Sequence, residues 1–237
     1  MQKRAGQKSM IRAIVLDYAG VMTVPLRMPR KPESRKPESP HVVAESDPAD
    51  VGAVLRSFMA HEIHNPDPQG MWNRLERGEL SLDAFCTHLE DRNRAAGEAF
   101  RAMAGTMIAG LPLRSMMADR VRAWQANGLK TALLTNNVAE WRPLWRGKLE
   151  EADVLHVFDA VIDSSEVGMR KPESRIYHHV MERLGVAPHE AVFVDDFPNN
   201  VDGAIDVGLR AILALPDDSH LDEVDRLVQG IDSGPAQ

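Results

Sequence analysis

The chain has 237 residues, 43% of them hydrophobic and 27% charged, enough for one large domain or one domain with a smaller insert. Its formal net charge of −7 argues against general nucleic-acid binding, which needs a basic face. The single cysteine, Cys86, excludes an intrachain disulfide, and no run approaches the ~20 apolar residues of a membrane span. A cytoplasmic protein is expected, without membrane or nucleic-acid partners and acting as a monomer or homodimer.

Residues 1–10 are basic and read as a flexible extension, with Met10 an alternative start. Ile11 and Ala13 to Leu16 then run into Asp17, the pattern of a buried parallel strand with a carboxylate at its C-terminal end. Gly20 permits a sharp turn just beyond. Residues 25–40 contain the repeat RKPESRKPESP, rich in proline and charge, and read as flexible. From 41 to 114 the periodicity is helical. Asp47 to His64 forms one expected helix, with His61 and His64 on one face. Ser81 is a plausible N-cap for a helix whose apolar stripe is Leu82, Phe85, Cys86 and Leu89, and a further helix covers Glu98 to Ile108. This stretch reads as a helical cap inserted into a second domain made of 11–24 and 115–237.

From Ser115 helices and strands alternate. Helices are expected at Met116–Ala126, Trp141–Glu151, Pro172–Leu184, Asn200–Val207 and Asp218–Val228. Strands are expected at Leu129–Leu134, Phe158–Ile162, Ala191–Val194 and Arg210–Leu215. Such alternation means an α/β fold, a Rossmann-like three-layer core around a parallel sheet. All strand C-termini then emerge on one edge. That edge carries Asp17, Thr135 with Asn136, and Asp195 with Asp196, and the loop holding Lys171 can lie over it.

Clustered carboxylates repel one another unless compensated. An oxygen-rich, partly open site suits Mg²⁺, which bridges to phosphate. One carboxylate can then attack phosphorus while hydroxyl, amide and ammonium groups bind the phosphoryl oxygens. Taken singly, Asp195 and Asp196 could be a helix N-terminus and Lys171 a surface lysine. Together, in this order, they point to phosphoryl chemistry on a small-molecule phosphorylated substrate.

The wording LDYAGV at Asp17, LLTNN at Thr135, GMRKPESRIY at Lys171 and FVDDFPNNVDGAIDVGL at Asp195 resembles the haloacid dehalogenase superfamily. The resemblance spans nearly all of Ile11 to Leu215. The run W-x-x-L-E-x-G-E-L-S at Trp72 is similar to the cap of the subgroup containing the N-terminal phosphatase domain of soluble epoxide hydrolases. It implies that Asp17 is nucleophile and metal ligand, that the Ala19 carbonyl and Asp196, with Asp195, serve the Mg²⁺, and that Thr135 and Asn136 bind the phosphoryl group or substrate. Lys171 would steady the nucleophile and the transferred group, and Asn200 would hold the last motif loop. The chain departs from the phosphatases at Ala19, where they usually place a second Asp as general acid and base. A weak or selective phosphatase is therefore the expectation. A 2-haloacid dehalogenase-like or phosphonatase-like hydrolase and a non-catalytic binding protein of the same fold are the alternatives. A phosphonatase needs a cap lysine for a Schiff base, and between Asp17 and Lys130 the chain has only Lys31 and Lys36, both in the proline-rich repeat. Trp72, Arg74, Arg77 and His88 are candidates for cap residues that shape the pocket.

Overall fold

A computed structural model describes residues 10–24, 60–63, 65, 67–109 and 111–230, the side chains of 105–109 excepted. The proline-rich repeat, most of the expected helix at 47–64 and His64 lie outside the described residues; 60–63 are helical, with His61 exposed.

Five strands form one parallel sheet: β1 (Ala13–Leu16), β2 (Lys130–Thr135), β3 (Ala160–Asp163), β4 (Ala191–Asp195) and β5 (Arg210–Leu213), in the order β3-β2-β1-β4-β5. β1 is central, with Leu16 level with Leu133 of β2 and Val194 of β4. Side chains alternate across a strand, so the sheet feeds two cores. Ile14, Leu16, Leu133 and Val194 join one apolar cluster, and Ala13, Val15, Leu134 and Phe193 join the other. Burial on both faces explains why these strands read as unbroken apolar runs. The chain leaves β1 towards β2 and β3, then returns to β1's other side with β4. That reversal opens a crevice at the C-terminal ends of β1 and β4, where open α/β sheets bind ligands.

Between β1 and β2 lie α1 (Met71–Glu76), α2 (Leu82–Arg92), α3 (Arg94–Ala109) and α4 (Ser115–Ala126). The Ser81 hydroxyl caps α2 by accepting from the Ala84 N–H at 3.1 Å. The two connections of the helical insertion run side by side. Thr23 and Leu113 form an antiparallel bridge, and the Arg114 N–H donates to the Met22 carbonyl at 2.9 Å. The insertion packs on the rest through aromatic rings. Trp72 meets Phe85, Phe100 and Trp141 at centroid distances of 5.4, 6.4 and 6.4 Å. Trp145 is fully buried in the same core beside Tyr18.

The remaining helices are α5 (Arg142–Glu151), α6 (Ser164–Val167), α7 (Ser174–Leu184), α8 (Pro198–Asp206) and α9 (His220–Val228). Several differ from expectation at their ends. α7 begins at Ser174 rather than Pro172, because Lys171 and Pro172 belong to a turn. α9 begins at His220 because Asp218 adopts a left-handed φ of 64°. The short α6 is a local addition: Asp163 accepts from the Ser165 N–H at 2.9 Å and closes its first turn. Among the described residues no helix is long and apolar enough to cross a membrane.

α9 is tied to the end of β5 by His220, whose Nδ1 accepts from the Leu215 N–H at 3.0 Å. Burial holds the His220 pKa below the ordinary value of 6.5, assisted by Arg114 and Arg120 and opposed by Asp218 and Asp217. A folded state that disfavours the proton loses stability as pH falls below the unfolded-state value and keeps it above. The midpoint of urea denaturation should therefore drop between pH 7.5 and pH 5.5 by more in the native chain than in His220→Gln. An equal drop in both would show that His220 does not contribute.

Candidate active site

The crevice at the switch point is filled by charge. Asp17 leaves β1 with its N–H donating to the Val194 carbonyl at 2.9 Å, which fixes it against β4. Asp195 is the last residue of β4 and Asp196 follows. Oxygens of the three carboxylates lie within 4.8 Å of one another. Lys171 enters from the turn before α7 and is 1% exposed. Its Nζ donates to Asp17 Oδ1 at 2.7 Å, Asp195 Oδ2 at 2.6 Å and the Leu134 carbonyl at 2.9 Å. An ammonium has three protons, so these bonds use all of them. The Phe193 ring lies 5.5 Å beneath the charge.

The electrostatics follow from burial. Burial pushes the Asp17 pKa up to about 8, with Asp195 and Asp196 adding to the rise and Lys171 opposing it. Asp196 is pushed up to about 6 by burial and then by Asp195. Burial acts to lower the Lys171 pKa, but the carboxylates of Asp17 and Asp195 outweigh it and hold it above the ordinary lysine value.

The carboxylates are not equivalent. Asp195 is saturated: its Oδ1 accepts from the Phe197 N–H at 2.8 Å and Asn200 Nδ2 at 3.0 Å, in addition to Lys171 on Oδ2. Asp196 Oδ1 is buried with no partner. Three acids face one ammonium, with an orphaned oxygen among them. This donor set fits a hard divalent cation such as Mg²⁺. Gly20 is needed for the arrangement. Its φ is +77°, and a Cβ there would fall 2.2 Å from Asp196 Oδ2.

The cluster opens on a cavity of about 370 Å³. Asp17, Ala19, Asn136, Lys171 and Asn200 line it; Thr135, buried at the end of β2, is not among the lining residues. Asn136 faces the cavity but spends its amide on the backbone of Lys171, accepting from its N–H at 2.8 Å and donating to its carbonyl at 2.9 Å. Of the expected cap residues only Arg77 lines the cavity. Trp72 is in the aromatic cluster, Arg74 pairs with Glu79 at 3.4 Å, and His88 is elsewhere.

Glu76, Arg170, Glu173 and Asn73 also line the cavity and were not read from the sequence. Glu76 accepts from Trp72 Nε1 at 2.8 Å and Arg170 Nε at 2.6 Å, and its carbonyl accepts from the Ser164 hydroxyl at 2.6 Å. Arg77 donates to Glu173 at 3.1 Å. Gly78, at φ +69°, brings the insertion against Ser165, where a Cβ would sit 2.4 Å from its carbonyl oxygen. The available signals were the Trp72–Glu76 spacing of one helical turn and the position of Arg170 beside Lys171.

Residues 11–208 match the family model of haloacid dehalogenase-like hydrolases, and the chain belongs to that family. It is 26% identical to bifunctional epoxide hydrolase 2 of Rattus norvegicus over 193 residues, which are 74% of this chain and 34% of the relative. This agrees with the epoxide-hydrolase subgroup read from the sequence, although the chain spans about one third of that relative's length. Over 86 residues it is 44% identical to phosphoserine phosphatase of Thermus thermophilus, covering 36% of this chain and 33% of the relative. The fold is shared with a family enzyme of Bacteroides thetaiotaomicron solved with magnesium and inorganic phosphate. There the TM-score is 0.57 and the identity 18%, over 89% of this chain and 98% of the other.

Removing the ammonium should expose the mutual repulsion of the carboxylates. Lys171→Met should lower unfolding free energy by about 3–5 kcal/mol, the usual cost of breaking a buried pair from one side. Asp17→Asn, which keeps an oxygen for Nζ, should cost less. Urea denaturation without divalent cations measures both, and a Lys171→Met chain as stable as the native one would contradict the assignment.

Proposed function

We propose that the chain is a Mg²⁺-dependent phosphatase that cleaves a small phosphorylated metabolite through an aspartyl phosphate on Asp17. The observation that carries this reading is the placement of Asp17 on the cavity, with one oxygen held by the buried Lys171 ammonium and two further carboxylates beside it. Asp17, Asp196 and the Ala19 carbonyl would hold the cation, with Asp195 their partner. When bound, it would offset the excess negative charge so that an anionic phosphoryl group can approach.

Lys171 fixes Asp17 Oδ1 and so leaves Oδ2 to attack phosphorus. The P–O bond to the leaving group breaks, and its electron pair departs on that oxygen. Water then cleaves the acyl phosphate and regenerates Asp17. Asn136 closes the phosphoryl end of the site, chiefly by fixing Lys171. The helical insertion acts as a cap that excludes water and limits the substrate to a small molecule.

Ala19 has no proton to give. Of the other described acids on the cavity wall, Glu76 is bound to Arg170 and Glu173 to Arg77. General acid help is worth about 10² to 10⁴ in rate. Esters whose leaving oxygen is weakly basic should therefore be favoured.

With Mg²⁺, 4-nitrophenyl phosphate should be hydrolysed at least ~100-fold faster than a simple alkyl phosphate, a ratio that also contains the intrinsic difference of the two leaving groups. Chelation and Asp17→Asn should each abolish phosphate release. Equal, high turnover of both esters would refute the role given to Ala19. Halide release from 2-haloacids without Mg²⁺ would replace the phosphatase reading by a dehalogenase. Absence of any turnover would favour a binding protein.

A further inference from the structure

Glu76, the buried last residue of α1, joins the insertion to the ends of β2 and β3 through both its main chain and its side chain. Its carbonyl accepts from the Ser164 hydroxyl at 2.6 Å, and that hydroxyl accepts from the Asn137 N–H at 2.9 Å. Its Oε1 accepts from Trp72 Nε1 at 2.8 Å. Its Oε2 accepts from Arg170 Nε at 2.6 Å and from Asn136 Nδ2 at 3.3 Å.

Asn136 is the residue that grips Lys171. Of the two Nδ2 protons, one goes to the Lys171 carbonyl at 2.9 Å and the other to Glu76. A carbonyl and a carboxylate only accept, so the amide cannot be turned round. Its Oδ1 therefore stays on the Lys171 N–H, at 2.8 Å. Lys171 Nζ in turn holds Asp17 Oδ1 at 2.7 Å. A contiguous run of hydrogen bonds thus leads from a residue of the insertion to the proposed nucleophile. Arg170, the other donor on Oε2, precedes Lys171 in the chain, so one oxygen steadies the lysine turn from two directions.

We propose that Glu76 is a positioning residue for phosphoryl transfer: it fixes the Asn136 amide and the Arg170–Lys171 turn, and through them the ammonium that orients Asp17. This rests on the phosphatase reading and extends it by giving one side chain of the insertion a part in the chemical step. A group that acts by aligning the nucleophile moves kcat, and a misplacement of about 1 Å costs on the order of 10²-fold. A wall residue that only touched the substrate would move KM, and by different amounts for different substrates.

The test measures kcat and KM with Mg²⁺ for 4-nitrophenyl phosphate and acetyl phosphate, two good leaving groups of unlike shape. Glu76→Gln keeps the shape, but each partner of the two carboxylate oxygens is a donor, so the new NH₂ must face one of them. It should lower kcat at least ~10-fold for both substrates and leave KM within about threefold. In an Asn136→Ala background the same change should cost no more than about twofold. Leu89→Val loosens the buried face of α2 and removes no hydrogen bond; it should lower thermal stability and keep kcat within about twofold. If Glu76→Gln does not fold, Glu76→Asp keeps the charge, withdraws it from Asn136 and should show the same fall in kcat. An unchanged kcat, a loss confined to KM, a full loss in the Asn136→Ala background, or an equal kcat loss in Leu89→Val would overturn the inference, while turnover by the native chain left the phosphatase reading intact. No turnover of either substrate by the native chain would overturn both.

Discussion

A single buried ammonium holds the site together. Lys171 comes from a turn 154 positions from Asp17 and 24 from Asp195, yet its three protons bind both carboxylates and the end of β2. Without it, carboxylates from β1 and β4 would face one another in a medium that supports neither charge. The parallel register places these groups at one level, and Asn136 grips the lysine backbone from the end of β2. Each adjoining strand therefore contributes to one electrostatic knot, and the cation-fitting oxygen of Asp196 lies beside it.

The helical insertion is joined to this knot by charge as well as by aromatic packing. Glu76 and Arg77 close α1 and reach Arg170 and Glu173, which flank the Lys171 turn. The same side chains form the cavity wall, so the lining of the cavity and the seating of the insertion depend on common residues. That coupling also explains why the wall is polar yet charge-balanced. The cations that hold the insertion are spent on carboxylates of the chain itself.

Much of the core was legible because parallel strands buried on both faces leave continuous apolar runs, each ending in a polar residue. Asp17, Asn136 and Asp195 were found in this way and Lys171 from the loop expected to lie over the same edge, and the structure brings them together. Thr135 shows where strand-end logic is blunt: it is buried at the end of β2 but does not line the cavity. Glu76, Arg170 and Asn73 escaped because their meaning is not local. The Glu76–Arg170 pair spans 94 positions, and nothing in a helix of ordinary amphipathicity marks which turn will meet a distant loop. The short α6 likewise depends on one Asp163 side chain rather than on any periodicity.

The most direct measurement is acid quenching during turnover of a phosphate ester with Mg²⁺, followed by peptide mapping of the protein. The account predicts an acid-stable, hydroxylamine-labile phosphoryl group on the peptide that contains Asp17. Phosphate release with the label on another residue, or with no protein label on any time scale of turnover, would contradict it.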